Sequence, residues 1–293
     1  RAGSRLVGVG LRGLIMLSND EGKSWQQVVS PVGSDLVQVR FRDDQHGWIV
    51  GHDSVFLATE DGGQTWSVVL DGRSLLTLLK NYYSSANDLE EFESESMLRE
   101  FELAMSTSSD PDVMATPFLD AYINAQGEGY VVGAFGMILR TIDNGLHWEP
   151  WIQRTDNDRR MHLYSVSMSG AETFISGEQG LVMRLDDEAQ RFIRTPTPYT
   201  GTFFGVQASA DAVLVYGLRG NLYASKDQGE TWTKVETGQE SSIVQSLPLS
   251  KGRALLISQR GGVMQIDTKS LELTQLVGDY RGTVFSAELL NSP

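Results

Sequence analysis

Four short words in this chain place a carboxylate where it would do either chemistry or structural work. They are "SNDEGKSW" at 18–25, "TEDGGQTW" at 59–66, "TIDNGLHW" at 141–148 and "SKDQGETW" at 225–232. Each sets an aspartate (Asp20, Asp61, Asp143, Asp227) two residues after a Ser or Thr and five before a tryptophan (Trp25, Trp66, Trp148, Trp232). An aspartate so placed is a catalytic carboxylate, or it accepts the N–H groups of its own turn while the next glycine supplies a left-handed backbone. The tryptophan then packs between neighbouring sheets. Repetition favours the second reading, because a catalytic group is needed once and a structural staple as often as its unit recurs. No other chemistry stands out. His46, His52, His147 and His162 lack metal-ligand spacing, and the sequence has neither a serine-nucleophile word nor a phosphate loop. No cofactor and no metal is expected.

The elements that position the words come from a longer frame. Upstream of each stands G-x-x-G or its near equivalent, beginning at Gly10, Gly51, Gly133 and Gly217 and closing at Gly13, Ser54, Gly136 and Gly220. Two further copies, Gly177–Phe192 and Ser258–Leu273, keep the frame but lose the aspartate. The anchors Trp25, Trp66, Trp148, Phe192, Trp232 and Leu273 are separated by 41, 82, 44, 40 and 41 residues. A period near 40 residues marks a β-propeller blade. Each repeat reads as four strands, in the second about 36–43, 46–52, 55–60 and 65–70. The first repeat lacks its opening strand, and "TVFSAELL" at 283–290 matches the opening strands "HLYSVSMS" and "TFFGVQAS". The expected fold is all-β: a single six-bladed propeller spanning residues 1–293, closed by the C-terminal strand. The double spacing would admit a seventh blade, but residues 74–106 contain no Gly, Pro, Val or Ile, which is not strand composition. Residues 71–117 are expected instead as a helical insertion between the second and third blades. It would be a hairpin over 74–105 that buries Leu75, Leu78, Leu79, Phe92, Leu98 and Phe101, its second helix capped by Asp88.

The G-x-x-G turns lie at the opposite end of each blade from the aspartate words, and their two variable positions are the exposed candidates for binding. They put Arg12, His52, Asp53, Phe135, Glu178, Arg219 and Arg260 on one face, joined by Tyr199, Tyr280 and Arg281 from the links between blades. On a chain with 24 Lys+Arg, 38 Asp+Glu and a net charge of −14, this predicts a local basic, aromatic patch. The acidity argues against nucleic acid. No stretch reaches the ~18 apolar residues of a membrane span, and the chain has no cysteine, which suits an export compartment or the cytosol.

The aspartate word resembles the Asp-box of sialidases and bacterial-neuraminidase-repeat proteins. The whole frame, G-x-x-G before and S/T-x-D-x-G-x-T/S-W after an apolar strand, is most similar to the photosystem II stability/assembly factor-like propellers. That resemblance implies a non-enzymatic scaffold for a protein partner, such as a membrane protein under assembly or an exporter component. It also implies a periplasmic or otherwise exported location; an N-terminal Arg1 fits removal of a signal peptide. The alternative is a sialidase-like glycosidase, with Arg12, Arg219 and Arg260 as a carboxylate clamp and Glu178 and Tyr280 in the remaining roles, or a propeller that binds a glycan or other small molecule without turnover. The Phe-Arg-Ile-Pro word of sialidases is absent; "FIRTP" at 192–196 has the wrong order.

Overall fold

The computed structural model describes residues 1–85, 89–106, 112–278 and 282–290. The described chain is mostly β, in six antiparallel sheets that follow one another along the sequence. Sheets two to six are four-stranded meanders, in which each strand pairs with the next in sequence. Sheet two is built from Leu36–Phe41, Gly47–Gly51, Phe56–Thr59 and Ser67–Leu70, within a few residues of the boundaries its alternation and turn residues predict. The second strands of sheets two, three and five are wholly buried ("GWIVG", "GYVVG", "VLVYG"). They read as continuous apolar runs because both of their faces are covered. The chain divides into two compact units, Arg1–Gln153 and Arg154–Pro293. The first holds sheets one to three and two helices, the second sheets four to six.

Sheet one is three-stranded: Leu6–Val9, Ile15–Ser18 and Gln26–Val28. The expected closing strand at 283–290 is not formed. Residues 283–289 have no strand pairing; the Val284 N–H donates to Gln259 O and the Ala287 N–H to Gln245 Oε1, so both amides are committed to sheet six and its turn. Phe285, which the alignment places in a strand, is 81% exposed. The segment has strand propensity, but strand state needs a continuous ladder, which two isolated bonds do not supply.

Between sheets two and three run α1 (Gly72–Ser85) and α2 (Glu91–Ser106). Asp71 caps α1, its Oδ1 accepting the N–H groups of Arg73 and Ser74 at 3.0 and 2.8 Å. The Asp88 cap expected for α2 lies outside the described residues. Leu75, Leu76, Leu79 and Tyr83 form the buried face of α1; Leu78 is only half-buried. Met97, Phe101 and Met105 form that of α2, with Tyr83 packing on Phe101. Phe92, expected in this core, is 78% exposed. The buried stripe runs at i, i+4, i+8, and at ~100° per residue Phe92 falls about half a turn from Phe101.

Candidate functional site

The aspartate words fold into closed hydrogen-bonded loops. Asp61 Oδ1 accepts the N–H groups of Gln64 and Thr65 and the Thr59 hydroxyl, and Oδ2 accepts the Thr65 hydroxyl at 2.6 Å. The Thr59 Oγ1 accepts the Gly63 N–H, and the Trp66 indole donates to Gly63 O. Asp20 and Asp227 repeat the pattern with Ser24 and Thr231. In the third word His147 replaces the hydroxyl residue, and its Nδ1 lies 2.6 Å from Asp143 Oδ2. The Ser24 hydroxyl and amide hold the Asp20 carboxyl at about 2. Burial pushes Asp61 upward, but the bonds from Thr65, Thr59 and Gln64 together outweigh it and also hold this group at about 2. A carboxylate with its lone pairs used this way is a poor proton donor near neutral pH. Two of the indoles are shown packing on the sheet before their own. Trp66 sits in one core cluster with Ile15 of sheet one, and Trp148 meets Phe56 of sheet two edge-on at 4.9 Å. Trp25 has no preceding sheet within its unit and is 45% exposed.

The G-x-x-G turns have a different design. The first glycine leaves room for the chain entering the opening strand: a Cβ on Gly217 would lie 2.3 Å from Thr202 O. The closing glycine is left-handed and tucked under the link to the next sheet, where a Cβ on Gly180 would lie 1.8 Å from Tyr199 O. Ser54 takes the closing position in sheet two at φ 56°, and its hydroxyl lies 2.7 and 2.8 Å from the carbonyls of Met114 and Thr116. Between them, five of the six turns hold a non-glycine residue in the left-handed region: Arg12, Asp53, Phe135, Gln179 and Arg219, at φ 53–57°. All five are exposed. Such strain persists only when the surroundings fix it, and it is concentrated at functional positions.

In the first unit the turns present Arg12, His52, Asp53 and Phe135 to solvent. The Arg12 N–H donates to Asp35 Oδ1, and Asp53 Oδ2 accepts the Ser34 hydroxyl. The second unit holds Glu178, Tyr199, Arg219 and Arg260. Tyr199 donates to Leu218 O and packs on Phe203 and Tyr223. Burial and Tyr223 raise its hydroxyl, against the opposing effect of Arg219. Arg260 departs from the pattern, because its turn closes one residue early through Gly261 N–H to Ser258 O. Tyr280 and Arg281 lie outside the described residues.

Two features went unread in the sequence. Arg40 and Asp120, on the opening strands of sheets two and three, form a two-bonded ion pair at 2.8 and 2.9 Å, with Asp120 buried. The pairing is non-local and leaves no periodic signal. Further, the opening strand of each four-stranded sheet bulges at its second residue. Val37, Leu119, Tyr164, Phe204 and Val244 occupy these positions. A bulge re-aims a side chain, and aligning "HLYSVSMS" with "TFFGVQAS" would have paired the two aromatic residues.

Tandem meander sheets stapled by Asp-box loops define a repeat β protein of the propeller class. The profile of the photosynthesis system II assembly factor YCF48 family matches residues 10–86 and 112–270, and the chain belongs to that family. It is 28% identical over 159 residues to the photosystem II assembly lipoprotein Ycf48 of Synechococcus sp. (strain CC9902), covering 52% of this chain and 46% of that one. It is 24% identical over 272 residues to the chloroplastic photosystem II stability/assembly factor HCF136 of Guillardia theta, covering 86% and 61%. The chain thus spans about half to three-fifths of the length of these relatives. Among solved structures it shares the fold of YCF48 bound to a D1 peptide, with a TM-score of 0.60 at 15% identity, covering 92% of this chain and 77% of that one.

Proposed function

We propose that this chain is a non-enzymatic scaffold that holds a protein partner during assembly in or at a membrane of the cell envelope. In this reading the six sheets are six blades of one propeller, and residues 71–117 are an insertion between the second and third. The observation that carries it is the row of exposed, left-handed, non-glycine residues at the G-x-x-G turns. The hairpins need left-handed backbone at both central residues, and in five turns the first of these is an exposed side chain where glycine would sit without strain. Arg12 and Phe135 at the turns of the first unit, and Tyr199, Arg219 and Arg260 at those of the second, are basic and aromatic side chains suited to a polar peptide segment. Tyr280 and Arg281 belong to the same proposed set. The family supports a binding role: the YCF48 structure that shares this fold is bound to a D1 peptide. The words "lipoprotein" and "chloroplastic" in the relatives' names support an exported, periplasmic-type location. Against a glycosidase stands the geometry of the aspartate words, whose carboxylates are spent on their own loops.

Affinity capture from the native envelope fraction tests the reading, using the wild type and an Arg12/Arg219/Arg260 triple-alanine variant of unchanged melting temperature. The wild type is expected to retain a discrete membrane protein that the variant loses. Equal capture by both would refute the role of this face.

A further inference from the structure

The second unit carries a cluster in which one of the predicted turn residues, Glu178, meets residues outside the predicted patch. Tyr164 and Phe204 occupy the bulged positions of neighbouring opening strands, and their rings meet edge-to-face at 5.7 Å and 84°. His162 lies 6.4 Å from Tyr164, ring centre to ring centre. Glu178, from the adjacent G-x-x-G turn, accepts the His162 N–H on Oε2 at 2.8 Å, and the same oxygen faces the imidazole Nδ1 at 3.6 Å. Among the described residues no group donates to Glu178 Oε1 or bonds to the Tyr164 hydroxyl. Both aromatic residues and Glu178 are partly open to solvent. Burial, and then the charge of Glu178, raises the Tyr164 hydroxyl, which stays a neutral phenol that can donate or accept.

The two rings stand perpendicular and partly open to solvent, and the Glu178 carboxylate, near enough to act on the Tyr164 hydroxyl, has an oxygen to spare. Ring quadrupole and carboxylate both attract positive charge, whereas an anionic ligand would be repelled by Glu178. We propose that Tyr164, Phe204 and Glu178 form a recognition site for a cationic side chain, lysine or arginine, of a bound peptide. This rests on the scaffold reading and refines it: the turn face reads charge of both signs, with the arginines taking acidic groups and this cluster a basic one.

Titration followed by NMR at the Tyr164 ring tests this on the intact chain, with Nα-acetyl-arginine amide and Nα-acetyl-lysine amide as probes and Nα-acetyl-citrulline amide as the uncharged isostere. At least one cation is expected to bind saturably and citrulline not. Glu178→Gln, which keeps an acceptor for the His162 N–H, should weaken binding about tenfold or more. Phe204→Leu should weaken it several-fold through loss of the ring face. Equal binding of citrulline, no saturable binding of either cation, or full affinity in Glu178→Gln would each overturn the site. None of these results depends on whether the envelope partner is captured.

Discussion

Arg219 shows how one residue carries the functional argument. Its backbone sits at φ 57°, a region that costs a non-glycine residue of order 1–2 kcal/mol. Arg219→Gly removes that strain together with the exposed guanidinium. Stability measured by denaturant titration is expected to rise by up to about 1 kcal/mol, while partner binding falls. A loss of stability would mean that the arginine is retained for the fold. The same scale shows what the sequence hid. The G-x-x-G spacing exposed Arg12, Asp53, Phe135 and Arg219 as turn residues, because glycine and turn chemistry are local. The pairing of Arg40 with Asp120 and the bulges at Tyr164 and Phe204 depend on which strands become neighbours, which no single segment encodes.

At the level of the element, the Asp-box loop and its indole can be separated from binding. Trp66 is buried against sheet one, and Trp66→Ala should cost about 3–5 kcal/mol. The chemically identical change at the half-exposed Trp25 should cost about 1 kcal/mol. Calorimetry giving equal losses at the two sites would contradict the packing described for the indoles. The loop carboxylates add a pH signature. Asp20, Asp61 and Asp227 are held at about 2 when folded, against roughly 3.9 in an unfolded chain. Their contribution is complete above about pH 4 and is lost as pH falls toward about 2, because the unfolded state binds protons first. Melting temperatures of the wild type should drop across that window, and those of Asp61→Asn should start lower and drop less. Parallel curves would show that Asp61 does not supply the staple. The loop was legible from sequence because the partners of its carboxylate lie within four residues of it. The closing strand was not: the composition of 283–290 fits a strand, but only a distant ladder partner could make it one.

For the molecule as a whole, the family profile covers most of the repeat frame and, like the frame, leaves out residues 87–111, which contain α2. We read that segment as an element specific to this protein's partner. Its sequence carries Asp88, Glu90, Glu91, Glu93, Glu95, Glu100 and Glu102 against Arg99, and Phe92 stands exposed. Replacing residues 74–112 with a short Gly/Ser linker should leave a folded protein whose capture of the partner loses its salt dependence; capture unchanged in amount and salt dependence would make the segment decoration. The central claim is that the partner sits on the G-x-x-G end of the sheets and not on the Asp-box end. Site-specific photo-crosslinking addresses it most directly, with the reactive group placed in turn at Phe135, at Arg219 and at His147. The account predicts adducts to one membrane protein from Phe135 and Arg219 and none from His147; adducts from His147 alone would contradict it.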